Sequence, residues 1–467
     1  MTRGGEKRLS HAFSIGVWML VMGILITTSQ LARAGQTEGF TFTKDIAPIL
    51  QRSCQNCHRP DSMAPMSLMS YEEVRPWARS IKQRTGLRNR TGVMPPWFIE
   101  KDVGIQRYKD DPSLSENEIA AIAAWVDGGA PQGDPSDLPP PRVFSGANTW
   151  DIGEPDLVVS TPSVSMPGVA PDRWGALEPV PLGLTEDRYV SAIQVKEFSD
   201  VSGGVGGKFI FHHALMTMLD EHGDPSGVGG WPTTTTGRFG WTFDPEVGRL
   251  VEAGSELLYH SVHLHANGEN TTAYMKVAFK FHPVGYKPTK TLGNTGFGTP
   301  DVDLRPMVSN QEFHFYTTLE QHTKMTTYSP HMHAPGVRFC IEAIYGGRSE
   351  TLVCSGYDHN WIRAYQFAND SMPLLPKGTI LHGIGYFDNT PANPNIVDPR
   401  NWTGFGHRSV DNMLLHIGPG GIALSEAELR REVETRREVL GLADGETVIG
   451  CPLCGVAGLT TASQDQD

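Results

Sequence analysis

Five consecutive residues, Cys54-Gln55-Asn56-Cys57-His58, constrain this chain more than any others. Two thiols three positions apart on one helical turn are spaced to add to the two vinyl groups of haem. The residue that follows, His58, then sits beneath the iron as its proximal ligand. A covalently held c-type haem needs a small helical shell, and the flanking sequence predicts one. Asp45 to Cys54 reads as a short helix entering the motif, and Tyr71 to Arg84 as a second helix. Ser115-x-x-Glu118 is a capping box that opens a third. In that helix Ile119, Ile122, Trp125 and Val126 fall on one face. Gly128-Gly129-Ala130-Pro131 stops it.

The competing reading of Cys-x-x-Cys-His is a zinc or disulfide pair beside an unrelated histidine. An export signal, a helix before the motif and a helix after it favour haem. A class I cytochrome c domain also needs a distal ligand, usually Met, and the expected one is Met94, in Val93-Met94-Pro95-Pro96-Trp97. Met63, Met66 and Met69 are closer to the motif and are expected to line the haem pocket or the surface. A Met/His pair raises the potential and leaves no open coordination position, which suits electron transfer.

The N-terminus reads as that export signal. Arg3, Lys7 and Arg8 precede an apolar stretch from Phe13 to Ile26, and Ala32-Arg33-Ala34 fits cleavage after residue 34. A retained anchor is the alternative. No other segment is apolar enough to span a bilayer, so the mature chain is expected to be periplasmic or secreted, with no membrane span. A net charge of -13 excludes nucleic acid as a partner. Of the six cysteines, Cys340 and Cys354 flank Gly346-Gly347 and are placed to face each other across a hairpin as a disulfide. Cys451-Pro452-Leu453-Cys454 fits a redox pair, a tail disulfide or a metal pair equally.

At 467 residues the chain exceeds one ordinary core. The Pro-rich run from Asp134 to Pro141 marks a change of pattern. Beyond it, short alternating runs replace helical periodicity: Leu157 to Ser160, Tyr189 to Val195, Ala273 to Phe281, Val337 to Tyr345 and Thr379 to Phe387. The expected architecture is multidomain: a small all-α cytochrome c domain followed by an all-β region, most simply one or two sandwiches. The boundaries are a signal over 1–34, the helical domain over 38–137, a linker over 138–149, the all-β region over 150–420, and a helical and polar tail over 421–467.

Three histidine clusters stand out in the β region: His212-His213, His263-x-His265 and His331-x-His333. Residues i and i+2 of a strand share a face, so a His-x-His pair can grip one metal. Adjacent histidines point to opposite faces, so His212 and His213 need a bend or a strand end to act together. Imidazoles with a soft thioether suit copper.

In motif order, the region from Trp150 to Gly418 resembles the copper-dependent monooxygenases typified by peptidylglycine α-hydroxylating monooxygenase and dopamine β-monooxygenase. The order is His-His, then His263-x-His265-x-Asn267-Gly268, then Tyr328-Ser329-Pro330-His331-Met332-His333 with Gly336, then Asp411-Asn412-Met413. Pro376-x-Gly378-Thr379 and Phe387-Asp388-Asn389 accompany them. The resemblance implies two jelly-roll-like all-β sandwiches, over 150–290 and 291–420, facing each other across a solvent-filled cleft, one copper on each. It implies His212, His213 and His263 on an electron-transfer copper, and His331, His333 and Met413 on an oxygen-binding, catalytic copper. His260, His265, His322 and His416 are expected to support ligands or lie on the surface.

The activity so implied is hydroxylation of a C–H bond of a small organic substrate with O2. The fused haem would supply or relay electrons from an external donor. Animal relatives carry an arginine two positions before the first histidine of His-x-His, and here that position is Ser329. A glycine-extended peptide is therefore not the expected substrate. The alternative is a non-catalytic periplasmic protein that binds copper and haem and transfers electrons. A blue-copper site is disfavoured, because it needs a Cys, two His and an axial ligand in a tight loop. His359 follows Cys354 with no Met to complete one.

Overall fold

The computed structural model describes residues 39–456, apart from 61, 63, 145–148, 201–208, 227–230, 233, 236–239 and 409. The expected signal and Met63 lie outside the described residues. Strands predominate in it.

The N-terminal residues form short helices around their own apolar cluster. A π-turn over Phe42–Ile46 runs into the helix Ala47–Ser53, which ends at Cys54. The expected second helix is broken into Tyr71–Val74, a 3-10 turn over Arg75–Trp77 and Ala78–Thr85. Pro76 is the cause, because it has no N–H to donate to the helical ladder. Helix Glu116–Asp127 opens on the expected capping box: Ser115 Oγ accepts from Glu118 N, and Glu118 Oε2 accepts from Ser115 N at 2.8 Å. Ile122 and Trp125 are buried against Phe42, Ile46, Leu50 and Ile81, with Ile119 and Val126 at the edge of the cluster.

The span 38–137 is not all helix. Ile99–Gly104 is a strand, and it pairs antiparallel with Arg348–Gly356 at the edge of a distant sheet. Glu100 binds the Arg338 guanidinium through Nε at 2.5 Å and Nη2 at 2.9 Å. The alternation of Ile99 to Gly104 is too short to stand out, and only a partner edge 250 residues away gives it a reason to extend.

The β region has two cores. In the first, Val190, Ile193, Val195, Val277 and Phe279 from one layer meet Ala214, Met216, Leu257, Tyr259 and Val262 from another. Strand Thr271–Phe281 buries alternate residues on this core. In the second, Ile341, Ala343, Val353, Leu381 and Phe387 of a five-stranded sheet pack on Tyr328, Met332 and Leu414. Cys340 lies opposite Cys354 and is bonded to it, across a two-residue turn whose Gly346 and Gly347 have φ of 54° and 75°.

The halves are not separate at residue 290. Strand Lys290–Asn294 pairs in parallel with Val247–Val251 and antiparallel with Pro419–Leu424, so one ten-stranded sheet crosses the boundary. The tail is partly integrated as well. Helix Glu426–Leu440 buries Leu429 and Val433 against Leu292, Leu374 and Ile422, together with Cys451 and Cys454. Those two cysteines form a disulfide. No described helix is long and apolar enough to cross a membrane.

Candidate metal centre

A β-bulge settles how adjacent histidines act together. Strand Phe211–Leu219 runs antiparallel to Glu256–Leu264, with His213 opposite His263. The next pair is Phe211 with Leu264, so His212 is the extra residue. Such a bulge bends the strand and re-aims a side chain that would otherwise point away. His212 and His213 are both buried, with their Nδ1 atoms 3.2 Å apart. His263 joins them, and one nitrogen from each ring lies within 4.8 Å of the others. This buried triad could hold a metal ion.

Strand Arg173–Gly175 flanks it and sets Trp174 beside His263. The indole stacks on the His263 ring at 4.0 Å and 10°. His263 Nε2 lies 2.7 Å from Asp172 Oδ2, which assigns the proton to Nε2 and leaves Nδ1 as the nitrogen that could meet a metal. His265 is not part of the triad: its Nε2 bonds the Phe209 carbonyl at 2.9 Å.

The second set sits on strand Pro330–Met332 and the residue after it. Its neighbour, Leu414–His416, places Leu415 opposite His331 and Leu414 opposite Met332. His333 directly follows the end of one strand, and Met413 directly precedes the start of the other. His333 Nδ1 donates to the Asp411 carbonyl at 3.0 Å, leaving Nε2 buried without a hydrogen-bond partner. Nδ1 of His331 is also buried without one.

The two sets touch. The His213 and His331 rings lie 5.5 Å apart, and Trp174 is 6.1 Å from His333. This corrects the expected solvent-filled cleft: the histidines form one buried cluster, because Trp174 fills the space between the sets and the halves share a sheet. His359, from the loop that follows strand Arg348–Gly356, packs into the same cluster, 5.9 Å from His333 and 5.5 Å from His212. The sequence alone gives no role to Asp172 or Trp174, and places His359 only in a disfavoured blue-copper loop. None repeats at an informative spacing, and only the fold brings them in.

Burial favours the neutral form of five of these rings. It pushes His212, His213 and His331 well below the ordinary imidazole value, His333 down to about 4 and His359 to about 3. Neighbouring imidazoles add to the effect, since a proton on one would repel a proton on the next. A neutral imidazole is the form that binds metals. The other histidines are engaged elsewhere. His260 is exposed, His322 pairs with Glu426 at 2.9 Å, and His416 accepts from Ser329 N at 3.0 Å.

The N-terminal motif forms one turn, in which the Cys54 carbonyl accepts from Cys57 N and His58 N. Cys54 and Cys57 are free thiols. Nδ1 of His58 lies 3.2 Å from the Met66 carbonyl, which leaves Nε2 as the nitrogen that could meet a metal. Met66 thus meets His58 through its backbone. Met94 is half-buried, precedes a cis proline and donates its N–H to the Arg84 carbonyl at 3.4 Å.

No protein-family model and no curated protein matches the chain. Among solved structures, the naturally empty top component of cowpea mosaic virus is 10% identical, with a TM-score of 0.23, over 60% of this chain and 95% of its own. The tandem CBM22 domains of Paenibacillus barcinonensis Xyn10C are 8% identical, with a TM-score of 0.16, over 60% of this chain and all of theirs. Likenesses at that level carry no argument about activity.

Proposed function

We propose that this chain is an exported dicopper monooxygenase that hydroxylates a C–H bond of a small organic substrate, with electrons supplied or relayed by a c-type haem on its N-terminal helical unit. The observation that carries the reading is the buried histidine cluster. His331 Nδ1 and His333 Nε2 have no other partner there, and the Nδ1 atoms of His212 and His213 are 3.2 Å apart. Buried polar atoms without partners are costly, so a cluster of them needs an occupant. Imidazoles with the thioether of Met413 fit copper better than a hard cation. Copper bound there would supply one-electron redox chemistry toward O2, and haem on Cys54, Cys57 and His58 would supply a carrier for the electrons.

The chain's own groups would do the rest. Asp172 orients His263, and the Asp411 carbonyl orients His333. Trp174 walls off water between the two sets. The helical unit docks close by: Gly92 N donates to Asp358 Oδ2 at 2.9 Å, one residue from His359, and while burial raises the Cys57 thiol pKa, the Arg363 charge pulls it down. Two disulfides suit an oxidising compartment, and the free thiols of Cys54 and Cys57 favour haem attachment over a fifth and sixth paired cysteine.

The test is oxygen consumption by copper-loaded protein with reductant and a panel of C–H substrates. His331→Ala should abolish it while leaving the haem spectrum unchanged. Consumption that is unchanged in the variant would overturn the reading. The closed cluster favours a second reading, a copper- and haem-binding electron carrier, in which no substrate turns over with either protein.

A further inference from the structure

His359 is a lone histidine in a loop, with no motif around it, yet the loop is fixed on every side. Tyr357 N donates to the Val337 carbonyl at 2.8 Å, and the Tyr357 hydroxyl donates to the Met332 carbonyl, between His331 and His333. Asp358 Oδ1 accepts from Asn360 N and Nδ2 at 3.1 and 3.0 Å. Asn360 in turn reaches Asn395 at 3.1 Å. All this ordering delivers one imidazole into the cluster, 5.5 Å from His212, 6.2 Å from His263 and 5.9 Å from His333.

The ring receives nothing in return. Both its nitrogens are buried without a hydrogen-bond partner. The Met332 carbonyl exerts a small pull on the ring but already receives the Tyr357 hydroxyl, and it makes no well-formed bond to the ring. His416 shows what a structural histidine looks like in the same half. Its Nε2 accepts from Ser329 N at 3.0 Å, and its Nδ1 lies 3.2 Å from the Thr295 carbonyl. A core position that needs only volume is filled better by a hydrocarbon.

We infer that His359 is a sixth imidazole ligand, the one that joins the His212–His213–His263 set to the His331–His333 set in a single metal cluster. The inference rests on the proposed copper chemistry for the identity of the ion. It makes the loop docked on Gly92 part of the coordination sphere, so the metal centre and the helical unit share one short segment of chain.

The experiment is copper titration of the full mature chain and of His359→Phe, which fills the space without a nitrogen. The readouts are copper content after desalting, the Cu(II) EPR spectrum and the melting temperature without metal. The expected result is at least tenfold weaker retention of one copper and an altered EPR spectrum. The metal-free protein should melt no lower than wild type. Wild-type copper content and EPR in the variant would overturn the inference alone, and so would a metal-free melting temperature lowered as far as that of His416→Phe. A wild-type protein that binds no copper would overturn both the inference and the monooxygenase reading. If the variant does not fold, X-ray absorption on the wild type decides: six imidazoles shared by two coppers support the inference, and five overturn it.

Discussion

Asp172 is a single carboxylate that orients the His263 ring. Its Oδ2 meets His263 Nε2 at 2.7 Å, fixing the tautomer and making the ring a better donor. Asp172→Asn should weaken metal binding about tenfold to a hundredfold without unfolding the protein. Competition against a chelator measures this, and unchanged affinity would mean that the contact does not orient a ligand. At this scale the sequence was legible wherever a motif carried the residue. His212, His213, His263, His331 and His333 all converge. The need for a bend at His212-His213 was legible too, and the bulge supplies it. Asp172 and His359 were not, because each enters through a loop or an edge strand whose position depends on contacts far along the chain.

Among elements, the edge strand Ile99–Gly104 bears most on the account, because it fastens the helical unit to the sheet beside the histidine cluster. Gly104 makes the attachment possible. Its φ is +65°, and a Cβ there would collide with the Leu352 carbonyl. Gly104→Ala should therefore release the strand. Hydrogen exchange would report faster exchange across 99–105 and along the edge of Arg348–Gly356, with helix Glu116–Asp127 unaffected. Continued protection of residues 99–105 would count against this anchor. Helix and strand types were readable where period and caps agreed, as in the Ser115 capping box and the run from Ala273 to Phe281. The sheet that crosses residue 290 was not, since parallel pairing of Val247 with Lys290 leaves no periodic trace.

For the molecule as a whole, the cluster predicts how stability depends on pH. Ordinary imidazoles titrate near 6.5, whereas burial depresses the folded values, His333 to about 4 and His359 to about 3. The unfolded chain thus binds protons near pH 6.5 that the folded chain refuses. Stability of the metal-free protein should be full above that value and fall as pH drops toward 4. For His333 alone the loss is on the order of 3 kcal/mol. Melting curves from pH 7.5 to 4 test this, and a flat profile would mean that the rings are hydrated rather than buried. Bound copper should be lost over the same range, because protons compete for the same nitrogens.

The central claim is that one chain holds both a haem and a pair of coppers, and metal analysis of the purified mature protein tests it most directly. Haem is read from its absorbance after denaturation, and copper from elemental analysis under copper-replete conditions. The account predicts one covalently bound haem and two coppers per chain. Haem with no copper, or copper with no covalent haem, would contradict it.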